Sequence, residues 1–272
     1  MEKSPHSQPE SESEQELRHQ PDTEDVAGAK REPWRANTPR DLLSREGAIM
    51  LFGLLCLTLL MKYGRPHAYR LYFAHYFIDA DLPTLQPFVY SAASSVVTRM
   101  LMPLAFIVLI LREHPKDFGY RLAGGRTFIQ LYGFLLAFMI PILWFVAGDP
   151  SFQNKYPFWD RAGESWQFLF LYEARYFFIF LSGEAFWRGF LLFGLAKRFG
   201  WHALSISMIP YVIVHFGKPL PETLGAIVTG YVLGYLALKH RSFVLGIALH
   251  YSIAVLMDVF ALIRSGSLPR VW

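Results

Sequence analysis

Cysteine is almost absent: Cys56 is the single one among 272 residues. That excludes an intramolecular disulfide framework and a cysteine-based metal site. Charge is scarce as well. Only 18% of the residues are Asp, Glu, Lys or Arg, against 53% apolar and 17% aromatic, which leaves too little polar surface for an ordinary soluble domain. The zinc-protease signature HExxH does not occur, and no internal repeat of the transporter type is visible. The formal charge of +4 therefore describes loops beside a membrane, and nucleic acid is not an expected partner.

What is present is apolar sequence in runs long enough to cross a bilayer. The runs predict an all-α membrane protein, a bundle of about seven transmembrane helices. The predicted spans are Gly47–Lys62, Pro87–Leu111 with Arg99 inside it, Thr127–Ala147 kinked at Pro141, and Trp166–Phe199. Three more follow: Trp201–Phe216 interrupted by Pro210, Leu220–Leu238, and Phe243–Ile263. Between the first two, Tyr63–Pro87 mixes aromatic residues with His67, Arg70, His75, Asp79 and Asp81, and reads as an interfacial helix or loop.

Residues 1–45 form a separate region, and residues 46–272 the membrane domain. The tail is rich in Glu, Ser, Gln and Pro and cannot bury enough apolar surface to offset the entropy of ordering, so it is expected to be disordered. Its basic end, with Lys30, Arg31, Arg35, Arg40 and Arg45, predicts a cytoplasmic N-terminus in a bacterial inner or plasma membrane, where the lipid bilayer is a partner.

The span Trp166–Phe199 carries Glu173, Arg175, Glu184 and Arg188 among aromatic and aliphatic neighbours. An ionisable group at that depth costs at least ~2.5–3.5 kcal/mol and normally faces a bundle interior or a water-filled cavity. Glu184 and Arg188 share a helical face at four-residue spacing. Glu173 is expected to pair with Arg175 at the outer interface. His215 closes the run YVIVH, His250 lies within the last span, and Asp258 follows two turns later. A carboxylate paired with a histidine can take a proton from water while a second histidine steadies an oxyanion. The same Glu184, His215 and His250 are also a conceivable His2Glu zinc set; otherwise no cofactor is expected. A bland reading stands beside both: an ion pair holding a helix in register, and histidines bridging helices.

The ordered motifs GEAFWRGF at Gly183–Phe190, YVIVH at Tyr211–His215, and then His250 resemble the CPBP intramembrane proteases. That family includes the CAAX prenyl endopeptidases and the bacteriocin-processing or self-immunity proteins. The resemblance covers about residues 117–263 and follows the pattern E-E-x-x-x-R, then F-x-x-x-H, then H-x-x-x-N/D. It implies a glutamate-type intramembrane endopeptidase acting on a membrane-anchored peptide or protein. Glu184, His215 and His250 would be catalytic, supported by Arg188, Tyr211 and Asp258. Gly183 stands where the family has the glutamate thought to act as base, Tyr211 where phenylalanine is usual, and Ala254 where a donor is expected. The alternative is a catalytically impaired relative, serving as a membrane scaffold, partner or immunity-like protein. The oligomeric state is left open.

Overall fold

The computed structural model describes residues 44–76, 82–122 and 124–269. The expected disordered tail, its basic residues Lys30, Arg31, Arg35 and Arg40, and Asp79 and Asp81 lie outside them. The described residues are helical throughout, without strands. Five helices are long and apolar enough to cross a membrane: α1 Arg45–Tyr63, α3 Gln86–Leu111, α4 Arg126–Val146, α5 Trp166–Phe199 and α8 Val244–Ser265. A short helix, α2 Pro66–Tyr72, follows α1, as the aromatic-rich segment predicts.

The expected fifth span differs from its prediction. Helix α6 is His202–Ile213, 12 residues that run through Pro210 instead of breaking there. At 1.5 Å per residue it spans about 18 Å, short of a hydrocarbon core of about 30 Å. Helix α7, Leu220–His240, is 21 residues long and carries the small faces Gly230 and Gly234. An added Cβ on either would meet side chains of α6, Met208 and Leu204 respectively. The glycines therefore allow α6 and α7 to pack closely. Helix α4 likewise continues through Pro141.

Helix α5 is the axis of the bundle. Of its apolar window 78% is buried, against 6% for α4, whose Ile129, Phe134, Phe138 and Phe145 face outward. That is the inverse of a soluble protein's layout and suits lipid contact. Against Phe186, Phe190 and Leu192 of α5 pack Ile49, Cys56, Ile107 and Met208 from the surrounding helices. Just past Glu184 the helix widens into π-type turns over Ala185–Phe193, a distortion that recurs at functional sites.

Polar clasps identify the two ends of the bundle. At one end Arg45 donates to both oxygens of Glu113 and, at 2.6 Å, to the carbonyl of Gly194; Lys197 reaches Glu113 at 2.8 Å. Ser242 Oγ donates to the carbonyl of Arg121 at 2.6 Å, placing the α7–α8 turn beside the α3–α4 connection. At the other end Tyr90 Oη donates to the Tyr63 carbonyl, Trp159 Nε1 to Thr84 Oγ1, and Lys155 Nζ to the Gly217 carbonyl. Glu222 there accepts from Tyr156 Oη at 2.5 Å.

The Arg45 hydrogen bonds, with Lys197, hold the Glu113 carboxyl down to about 2. A depressed carboxyl stabilises the fold above its unfolded value near 4.5 and loses that contribution as pH falls towards about 2. The thermal midpoint should therefore drop over this window, and Glu113→Gln should remove that part of the drop. An identical acid profile in Glu113→Gln would show that the clasp is not formed.

Candidate active site

Glu184 sits at the junction where α5 changes from α to π turns, only 1% exposed. Its Oε1 accepts from Arg188 Nη1 at 2.8 Å and from His250 Nδ1 at 2.9 Å. The four-residue spacing puts Arg188 on the same face, and α8 supplies His250 from across the bundle. Gly246, one turn before His250, makes the approach possible: an added Cβ there would lie 2.5 Å from Glu184 Oε2.

His215 follows α6, and its Nδ1 lies 2.8 Å from the carbonyl oxygen of Tyr211. A carbonyl only accepts, so Nδ1 carries the proton and Nε2 of the neutral ring is the free acceptor. The same logic applies at His250, whose Nδ1 faces a carboxylate. Tyr211 joins the parts together. Its ring lies 4.7 Å from that of His215 and 6.3 Å from that of His250, and the Arg188 guanidinium stacks over it at 4.3 Å.

Glu184, His215, His250 and Tyr211 all line one cavity of about 390 Å³. Its wall also includes Gly183, Trp187 and Arg99, and it draws Arg65, Thr84, Trp159 and Lys218 from the connections at the Lys155–Gly217 end. With α6 this short, His215, at the end of its predicted span, lines the same cavity as a glutamate well inside a longer one. Arg188 is buried behind the carboxylate, 2% exposed.

Asp258 is not in this group. It is fully buried, but it does not line the cavity; its carboxyl faces that of Glu173, beside Tyr172. Glu173 is thus a buried residue turned towards α8 and not an interface partner of Arg175, which instead donates to the Leu171 carbonyl at 2.6 Å. The helical angle separating Asp258 from His250 sends the two side chains to different neighbours. Ala254 packs among apolar residues with Tyr251 and Val259 and brings no donor.

Glu184 meets His250 through a hydrogen bond, and among the described residues no three His, Cys, Asp or Glu side chains are grouped to hold a metal ion. Sequence reasoning missed two members of the site. Gly246 gives no signal without its neighbour. Arg99 does: an arginine inside an apolar span is itself a pointer.

A carboxylate and two histidines thus line one cavity of a helical protein with helices long and apolar enough to cross a membrane. Residues 165–256 match the family described as type II CAAX prenyl endopeptidase Rce1-like, which is consistent with the CPBP family and covers Gly183, Glu184, Arg188, Tyr211, His215 and His250. Searches of curated proteins and of solved structures gave no match.

Proposed function

We propose that the protein is a CAAX protease-type intramembrane endopeptidase that hydrolyses a peptide bond in a membrane-anchored substrate. The observation that carries this reading is the convergence of Glu184, His215 and His250, from three separate helical segments, on one cavity wall. The Glu184 carboxylate, already holding Arg188, is poorly disposed to be the base itself. It fixes His250 by its Nδ1 proton and stabilises the imidazolium, so that His250 Nε2 takes the proton from water as the water oxygen attacks the carbonyl carbon. His215 Nε2 accepts the second water hydrogen and orients the attack. The proton held by His250 then passes to the departing amine as the C–N bond breaks. In this arrangement the missing glutamate at Gly183 is bypassed.

A second cavity, about 310 Å³, shares Tyr211, His215 and His250 but is walled mainly by Leu135, Phe138, Met139 and other apolar groups of α4, α7 and α8. It is suited to a substrate's apolar anchor, leaving the peptide in the polar cavity. We place the chain in a bacterial inner or plasma membrane with its N-terminus cytoplasmic. Arg45, Arg112, Lys116, Arg121, Lys197, Arg198, Lys239 and Arg241 gather at or beside the end that holds the Glu113 clasp and the Ser242–Arg121 contact, the bias expected of the cytoplasmic side. We count α6 and α7, although α6 is short, as the passes that bring the total to seven, a reading supported by their turn, which Lys155 reaches at the opposite end.

The test is cleavage of a farnesylated peptide by purified protein in nanodiscs. His215→Ala should lower the rate about 10²-fold or more at unchanged protein yield. A His215→Ala rate equal to wild type would remove the role assigned to His215; no cleavage by a well-folded wild type would remove the endopeptidase reading and favour the impaired relative, a scaffold, partner or immunity-like protein.

A further inference from the structure

Arg99 is a buried guanidinium without a carboxylate partner among the described residues. It lies on α3, 9% exposed, at a π-type turn. Nη2 donates to Ser95 Oγ, to the Ile179 carbonyl at 2.9 Å and to Ser182 Oγ at 3.2 Å. All three acceptors are neutral. Nε is buried with no acceptor, and the hydrogen bonds of Arg99 to described residues all leave from Nη2 rather than Nη1. Instead Nη1 points at Gly183: an added Cβ on that glycine would lie 3.3 Å from it. Arg99 therefore stands beside the position vacated by the family's first glutamate.

The charge around it is unbalanced. Glu184 is near enough to act on Arg99 electrostatically, but the like charge of Arg65 acts in the opposite sense. Glu184 is moreover already engaged by Arg188 and His250. Arg65, Arg70 and Lys218 line the same cavity, and among the described residues Lys218 alone of these has an acidic partner, Glu222 at 2.6 Å. A buried cation left without a counter-ion is costly, and here it faces a cavity that a ligand can enter.

We propose that Arg99 is an anion-binding residue that takes the free C-terminal carboxylate of the peptide substrate. The proposal rests on the endopeptidase reading for its choice of ligand. A chain terminus is slim enough to pass between Ser91, Ser95, Gly183 and Trp187, where a phospholipid headgroup would have to bring its glycerol and acyl chains along. Guanidinium and carboxylate form short charge-assisted hydrogen bonds, and the free Nη1 provides the first. Gly183 leaves the space open. A glutamate at 183 would itself pair with Arg99 and fill the anion position.

The test uses the full chain in phosphatidylcholine nanodiscs and two fluorescent farnesylated peptides, identical except for a C-terminal acid or amide. Wild type should bind the acid about tenfold or more tightly than the amide, as a hydrogen-bonded charge implies. The preference should fall to within about twofold in Arg99→Gln, persist in part in Arg99→Lys, and be lost in Gly183→Glu. Equal binding of acid and amide by wild type would overturn the proposal, and that comparison needs no variant to fold. So would a full preference retained in Arg99→Gln or in Gly183→Glu. Displacement of the acid peptide by inorganic phosphate or by phosphatidylglycerol nanodiscs, dependent on Arg99, would reassign the position to phosphate. Acid preference without cleavage would count against the endopeptidase reading alone; cleavage without acid preference would count against the Arg99 assignment alone.

Discussion

Glu184→Gln is expected to abolish most cleavage while leaving a folded protein, and Glu184→Ala to damage both. The amide of glutamine keeps an oxygen for Arg188 to donate to, but it carries no charge to stabilise an imidazolium on His250. Loss of that stabilisation should cost about 10²–10⁴-fold in rate. Alanine removes the acceptor altogether. Arg188, 2% exposed and already with Nη2 unsatisfied, would be left as an uncompensated buried charge, worth about 3–5 kcal/mol of lost stability. Thermal unfolding of the two variants, read with their cleavage rates, separates the roles. Equal unfolding temperatures for Gln and Ala would mean that the ion pair at 2.8 Å does not support the bundle.

Gly246→Ala should be nearly as damaging to cleavage for a different reason. In an open helical position alanine would favour the helix by up to about 1 kcal/mol. At 246 its Cβ would stand 2.5 Å from Glu184 Oε2 and 3.2 Å from Cδ, so the carboxyl must move. That movement breaks the 2.9 Å hydrogen bond to His250. A displacement of about 1 Å at a reacting group costs on the order of 10² in rate. The expected result is a folded, helical protein with cleavage reduced about 10²-fold. Wild-type turnover in Gly246→Ala would show that Glu184 does not orient His250 as described.

Much of this site was legible in the sequence because membranes make polar residues conspicuous. Glu184, Arg188, His215 and His250 stand out from apolar runs, and the structure brings all four together. Arg99 was equally conspicuous, yet its meaning depends on lying beside Gly183 across two helices, which no periodicity reveals. Asp258 and Glu173 show the converse. Each is a buried carboxylate, but their helical angles turn them to one another and away from the cavity. Run lengths located the helices well, except at α6. There an apolar stretch continues to Phe216 while the helix stops at Ile213, and Gly217, with a positive φ of 86°, and Pro219 keep it from resuming before α7.

In the proposed mechanism this cavity activates water for attack on a peptide carbonyl. The most direct measurement is cleavage of a farnesylated peptide in ¹⁸O-enriched water, with the products read by mass spectrometry. One ¹⁸O atom is expected in the new C-terminal carboxylate, formed by wild type and lost in Glu184→Gln. Cleavage undiminished in Glu184→Gln, or no cleavage by a well-folded wild type, would contradict it.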